Sequence, residues 1–387
     1  MWFKEKRLYA DAAASTPLSA RAKAELVRLL DMYGNPGGLH KEAVAAKQAL
    51  DDARRRIAHT LECRVEELVV TGSGTEANNL AMLGLLRPIL RERGEVHAIT
   101  TSIEHSSILE PLHALEDEGG FITALGVNEE GRIDIDELLG SINEHTVLVS
   151  VQLINSEIGT IQDIRAVAKA LRAQEKKIYL HCDASQAPLW QNITVERLGV
   201  DLMTIDGQKV MGPKGVGVLY IRKGTPVESV VYGGGQEHGL RAGTENVPLV
   251  GAFAVALEDA QKGAAENTKR TSAVRDYLWQ HIQKSIPDAR LNGATGERRV
   301  ANNINVSVPG LDAEMGVIAM DALGVAVSTR SACDIGDQEP SHVIRAIGTP
   351  TELQKTAIRI TFMPDATKAH ADLIVKALIE AAKRYTK

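Results

Sequence analysis

The chain has 387 residues, 44% hydrophobic and 24% charged, with 33 glycines and 13 prolines, the make-up of an ordinary globular protein long enough for two domains. Its formal charge of −6 comes without any long run of Lys or Arg, which excludes the electrostatic footprint that nucleic acid or an anionic membrane needs. No segment reaches the ~18 uncharged apolar residues of a membrane helix, and the charged residues 1–7 lead into no apolar stretch, so a cytoplasmic protein is expected.

Along the chain, Ala46, Leu50, Ala53, Ile57 and Leu61 fall at helical spacing, and so do Ile164, Val167, Ala168 and Leu171 behind an Asp163 cap. Both patterns predict helices that cover a sheet. Short β-rich runs alternate with such segments at residues 68–71, 96–100, 146–151, 178–182, 201–205 and 216–221. That rhythm predicts an α/β fold with a largely parallel sheet. Near residue 260 the composition shifts, and the polar run 262–270 leads into a helix with Val274, Leu278, Ile282 and Ile286 on one face. A boundary is therefore expected between a large domain, residues 17–260, and a small C-terminal one, residues 261–387. Strands at 304–308, 325–328 and 357–362 and a last helix at 369–387 give the small domain an α+β character. Residues 1–16 are expected to pack against it.

Three places carry chemistry. Residues 67–79 run from strand through Gly72 and Gly74 into a helix whose N-terminus exposes unpaired N–H groups, a turn able to cradle phosphate. Taken alone, it is equally a plain strand-to-helix turn capped by Thr75. Asp183 ends a central strand, where open α/β sheets bind ligands, and an acid there suits a cation such as a pyridinium; alone, such an acid is more often a helix cap. Lys209, on a glycine-rich turn after another strand, can hold an aldehyde covalently, although a lone lysine is usually a solvated charge. The cysteines are Cys63, Cys182 and Cys333, an odd number with no Cys-x-x-Cys pair to suggest zinc or a disulfide framework. Cys63 and Cys182 read as inert core thiols, whereas Cys333 sits in a polar, glycine-containing loop after a strand.

The ordered set Thr75, His105, Asn155, Asp183, Gln186, Lys209 and Cys333 resembles the cysteine desulfurases of the NifS/IscS type, in the class V aminotransferase group. The resemblance spans nearly the whole chain. Its most specific motifs are Glu104-His105-Ser106-Ser107, Asn155-Ser156-Glu157-Ile158-Gly159-Thr160, Gly233-Gly234-Gly235-Gln236-Glu237, Arg241-Ala242-Gly243-Thr244-Glu245-Asn246 and Ser331-Ala332-Cys333. It implies the type I pyridoxal-phosphate fold: a mainly parallel seven-stranded sheet covered by helices, plus a smaller α+β C-terminal domain. It implies pyridoxal 5′-phosphate held by Lys209, with Gly74, Thr75 and Gln208 among the groups binding it. Asp183 would face the pyridine nitrogen, Gln186 the phenolic oxygen, and His105 would stack on the ring and shuttle protons. Asn155 and Arg359 would hold the substrate carboxylate. Thr244 would reach the phosphate of a neighbouring subunit, which implies a homodimer. Cys333 would take the sulfur of L-cysteine as a persulfide, release alanine, and pass the sulfur to an acceptor protein for iron–sulfur cluster assembly or tRNA thiolation. Its loop matches the longer version, found in the branch that hands persulfide to other proteins. Thiolate formation at Cys333 falls to Arg330 or His105.

The chain departs from the pattern in places. Asp206 and Gln208 stand where the family usually has a hydroxyl residue and a histidine, both phosphate ligands. Arg330 replaces a glycine, Gly37-Gly38 replace small hydroxyl residues, and Met363-Pro364 replace a Gly-Arg pair. Two alternatives follow: a selenocysteine lyase or related lyase, and a degenerate relative acting as a binding subunit. The intact Cys333 loop favours cysteine, and retention of Lys209, Asp183, His105 and Cys333 together favours an enzyme.

Overall fold

The computed structural model describes residues 7–329 and 340–385. Its centre is a seven-stranded sheet in the order Leu68–Thr71, Gly217–Ile221, Leu202–Asp206, Tyr179–Asp183, Thr146–Ser150, His97–Thr101, Phe121–Leu125. Gly217–Ile221 runs antiparallel to both neighbours and every other pair is parallel. The expected mainly parallel sheet is therefore present, with each of the six expected strands at or within a residue of its place. Phe121–Leu125 was not expected. It is an edge strand, paired on one side only and mostly exposed or half-exposed, although its run Phe121-Ile122-Thr123-Ala124-Leu125 is as apolar as those of the expected strands.

Alternation along the strands sends side chains to two cores. Val149, Met203 and Val218 join the helices Lys41–Leu61, Ile164–Arg172 and the start of Val247–Ser285 on one face. Their neighbours Leu148, Leu202 and Leu219 join Gly74–Arg93 and Ser106–Asp117 on the other. Asp163 caps its helix as expected, accepting from Ala166 N at 3.0 Å.

The helix Val247–Ser285 spans 39 residues and crosses the expected boundary without a break. The polar run 262–270, expected to lead into a helix, is itself helical. Its polarity reflects a stretch between two cores: Val250, Phe253 and Leu257 belong to the large one, Val274, Leu278 and Ile282 to the small one. The small core forms over a three-stranded antiparallel sheet, Ala357–Thr361, Asn303–Ser307 and Arg290–Leu291, with the helices Ala313–Ala322 and Lys368–Tyr385. Leu8–Tyr9 pairs in parallel with Val325–Ala326, and Thr361 N donates to Ala10 O at 2.8 Å, so the N-terminal segment lies along these strands. We propose the division into two domains within this long helix. No helix among the described residues is long and apolar enough to cross a membrane.

Gly217 sets how closely the sheet approaches the turn at residues 73–74. A Cβ placed there would lie 2.6 Å from Ser73 C and 2.9 Å from Gly74 N, backbone atoms that cannot yield as a side-chain tip can. Gly217→Ala is expected to lower stability by about 1–3 kcal/mol. Gly140→Ala, at a helix end where the new methyl meets nothing within 4 Å, is expected to be neutral or slightly stabilising. Denaturant midpoints of the two variants test this, and equal effects would remove the crowding argument.

Candidate active site

The parallel strands all end at one edge of the sheet, and there a cavity of about 230 Å³ opens. Asp183 and Asp206 are the last residues of adjacent strands, the helix Gly74–Arg93 starts beside them, and His105 caps the helix that follows His97–Thr101. Gly74, Thr75, His105, Asp183, Gln186, Gln208, Lys209 and Arg359 all line the cavity, so most of the expected site residues meet there.

Lys209 closes a short 3₁₀ turn, Gly207–Lys209. Its Nζ donates to Ala13 O at 2.7 Å and Ala14 O at 2.6 Å, and Gln186 Nε2 donates to Ala13 O at 2.9 Å. The N-terminal segment is clasped onto the same turn by Thr16, whose N and Oγ1 both donate to Gln208 O at 2.8 Å. Asp183 accepts from Ser185 N at 2.9 Å and Asn78 Nδ2 at 2.9 Å. Beneath it, His181 is fully buried between Ser150 Oγ and Thr204 Oγ1, and burial pulls its imidazolium form down to a pKa of about 4.

The two residues expected to hold the substrate carboxylate have other partners. Asn155 does not line the main cavity: its Oδ1 accepts from Glu157 N and Ile158 N, both at 2.9 Å, and its Nδ2 donates to Ile103 O at 3.0 Å. An Asx turn of this kind commits the carboxamide to the backbone. Arg359 is 1% exposed and its guanidinium donates to Asp11 Oδ1 at 2.8 Å and Ser156 O at 3.3 Å, so Asp11 supplies the carboxylate expected of a substrate. The cap of helix Gly74–Arg93 is Ser73, whose Oγ accepts from Glu76 N at 3.1 Å, and Thr75 is left facing the cavity. Thr244 is exposed, away from the cavity. Cys333 and Arg330 lie outside the described residues. Cys182 is fully buried and its thiol pushed well up by burial, and Cys63 is pushed up to about 12 for the same reason, which fits the reading of both as inert.

Asp206 and Gln208 face the cavity together. The Asp206 carboxylate accepts from Gln208 N at 3.2 Å and Gln208 Nε2 at 3.1 Å, and it lies against Gly74, where an added Cβ would come within 3.3 Å of Oδ2. Several site residues had no role assigned from the sequence: Asn78, Ser107, and the Ala13 and Ala14 carbonyls. Asn78 was legible only as a position one turn beyond Gly74 and Thr75, on the same helix face.

The sequence pattern of the family "Aminotransferase class-V" matches residues 8–374. A protein named cysteine desulfurase IscS, from Dictyoglomus turgidum, is 40% identical over 365 residues, covering 94% of this chain and 91% of its own. Among solved structures, a NifS-like protein superposes with a TM-score of 0.91 at 30% identity, covering 98% of this chain and all of its own. SspA in complex with cysteine superposes at 0.80 and 30% identity, covering 94% of this chain and all of its own.

Glu104, at the wall behind His105, is fully buried; its Oε1 accepts from Thr101 Oγ1 at 2.8 Å and Gln152 N at 2.9 Å, while Oε2 has no partner among the described residues. Burial raises its pKa to about 8. The folded protein therefore keeps a proton that an unfolded glutamic acid releases from 4.5 upward, so stability falls as pH rises toward 8. His181 acts oppositely: unfolded, it takes a proton below 6.5, but folded only near 4, so stability also falls as pH drops through that range. Glu104→Gln keeps the Oε1 contacts and has no proton to lose. It is expected to flatten the alkaline limb and leave the acid limb, read from denaturant midpoints between about pH 4 and about pH 9. An alkaline slope unchanged in the variant would contradict a buried, protonated Glu104.

Proposed function

We propose that this chain, which belongs to the class V aminotransferase family, is a pyridoxal-phosphate-dependent cysteine desulfurase that converts L-cysteine to L-alanine and carries the sulfur on Cys333. One observation bears most of this reading: Lys209, Asp183, His105 and Gln186 meet in one cavity at the carboxyl end of the sheet. The family relatives named above agree with it, and the neighbour SspA was solved with cysteine.

The cavity suits the cofactor. Asp183, fixed by two donors, offers a carboxylate for a pyridinium nitrogen; Lys209 presents its amine; and the N-terminus of a 20-residue helix lies beside Gly74 and Thr75 for a phosphate. When bound, pyridoxal phosphate supplies an electron sink for the substrate's α-carbon. Lys209, which would hold the cofactor, would also take the α-proton onto Nζ. Arg359 turns from Asp11 to the substrate carboxylate, exchanging one charge-assisted contact for another. The Cys333 thiolate attacks the substrate sulfur, an S–S bond forms as the Cβ–S bond breaks, and the carbon skeleton leaves as alanine once Cβ and Cα are protonated. The persulfide then passes to an acceptor protein in iron–sulfur cluster assembly or tRNA thiolation.

A cytoplasmic homodimer completes the proposal. Tyr33, Leu39 and Tyr232 are 83%, 97% and 85% exposed, and Val231 bridges to Arg241, near Thr244. Thr244 would then serve the neighbouring subunit's phosphate.

Lys209→Ala is expected to abolish both the absorbance of covalently held cofactor and the formation of alanine from cysteine. Cys333→Ser should still bind cofactor and cysteine but form no protein persulfide, because a hydroxyl is far less nucleophilic toward sulfur. Mass spectrometry decides, and persulfide on Cys63 or Cys182 would overturn the role of Cys333. At the phosphate end, Asp206→Ser with Gln208→His should slow loss of cofactor on dialysis, the larger share coming from Asp206. Loss as fast as in the parent would mean that Asp206 does not oppose the phosphate.

A further inference from the structure

His105 is held by a hydrogen-bond chain whose polarity is fixed at one end. Asp183 Oδ2 can only accept as a carboxylate, so the group 2.9 Å away on Asn78 must be its amide nitrogen. The same nitrogen lies 2.8 Å from Ser107 Oγ, to which it gives its second proton. Ser107 Oγ, having accepted, has one proton of its own to give, and its remaining neighbour is His105 Nδ1 at 2.8 Å. Ser107 N, a donor under all circumstances, also points at Nδ1, from 3.1 Å. Both demands on Nδ1 are for a lone pair.

Asn78 and Ser107 are almost wholly buried, so water is a poor substitute for either link. The Asn78 orientation persists although it leaves Oδ1 buried without a partner among the described residues. Turning the amide over would satisfy nothing better, since it would set Oδ1 against the Asp183 carboxylate.

We infer that Asn78 and Ser107 are positioning residues that hold His105 as the neutral tautomer protonated on Nε2. The inference deepens the desulfurase reading and rests on it for its consequence: His105 enters the reaction able to give a proton from Nε2, with no free lone pair to receive one. His105 is then not the first acceptor of the Cys333 thiol proton. A single chain also joins the residue facing the pyridine nitrogen, Asp183, to the residue stacking on the ring.

The test is the tautomer itself, read by NMR of the cofactor-loaded protein carrying ¹⁵N-labelled histidine, with His105→Asn to assign the signal. The parent should show His105 protonated on Nε2 and bare on Nδ1. Ser107→Ala and Asn78→Ala, which remove the hydroxyl's demand but leave the Ser107 N–H on Nδ1, should each raise the Nδ1-protonated fraction measurably above the parent's, while Ser107→Thr, which keeps the hydroxyl, should keep the parental pattern. Circular dichroism confirms that each variant is folded. A parent protonated on Nδ1, or folded alanine variants with the parental tautomer, would overturn the inference. Alanine release from cysteine, assayed in the parent, separately tests the desulfurase reading: its absence would sink that reading while leaving the tautomer result standing.

Discussion

A parallel sheet covered by helices on both faces leaves its strands one place to put polar side chains: their ends. That constraint organises this protein. Leu148, Leu202 and Leu219 go to one core and Val149, Met203 and Val218 to the other, so nothing polar can project from the middle of these strands without a partner. The buried polar residues that do so have partners: His181 bonds both Ser150 and Thr204, and Thr100 Oγ1 donates to Ser150 O. Asp183 and Asp206 escape at the carboxyl edge, into the cavity, with the start of helix Gly74–Arg93 alongside. The location of the chemistry follows from how the sheet is buried.

The N-terminal segment is the second determinant. It pairs with the strand Val325–Ala326, bonds to Thr361, and ends on the turn that carries Lys209. On the way it offers acceptors to the groups expected to bind ligand: the Ala13 and Ala14 carbonyls to Lys209 and Gln186, and the Asp11 carboxylate to Arg359. A buried guanidinium or ammonium left without an acceptor is costly, whereas exchanging one acceptor for another is nearly neutral. Binding energy from substrate and cofactor is therefore not consumed in rescuing stranded charges. The same segment ties the small sheet to the Lys209 turn, so movement between the two cores would be felt at the cavity.

Legibility in the sequence divides along the same physical line. Buried strands announce themselves through apolar runs, and the sheet-covering helices through their spacing; Phe121–Leu125 carries a comparable run and was not expected, so an apolar run does not by itself separate an exposed edge strand from its surroundings. The shift near residue 260 is real, yet it marks the polar middle of one helix between two cores and not a break in the backbone. At the site, Lys209, Asp183, His105 and Gln186 stood in motifs specific enough to read. Asn78 and Ser107 lay within such motifs too, but their link was not legible, because a relay of 2.8–2.9 Å contacts exists only once two helices have been brought together. Asn155 was legible as a motif residue, but its use within an Asx turn depends on backbone geometry that no motif encodes.

Asp206 shows how a departure from a family pattern can be absorbed locally. A carboxylate beside Gly74 sits at the positive end of a helix dipole, which favours a negative charge there whether it belongs to phosphate or to protein. Gln208, in place of the usual histidine, turns its amide to Asp206 and so draws that charge toward itself. The two substitutions are coupled: with a histidine at 208 the carboxylate would lose an amide donor, and with serine at 206 the glutamine would be released to face a phosphate. Each such contact contributes on the order of 1 kcal/mol, small beside the covalent link that Lys209 and the charge pair that Asp183 would make in the proposed function. In the proposed function a cofactor anchored at three points would tolerate a poor fit at one of them, so a departure at the phosphate end is compatible with an unchanged ring end.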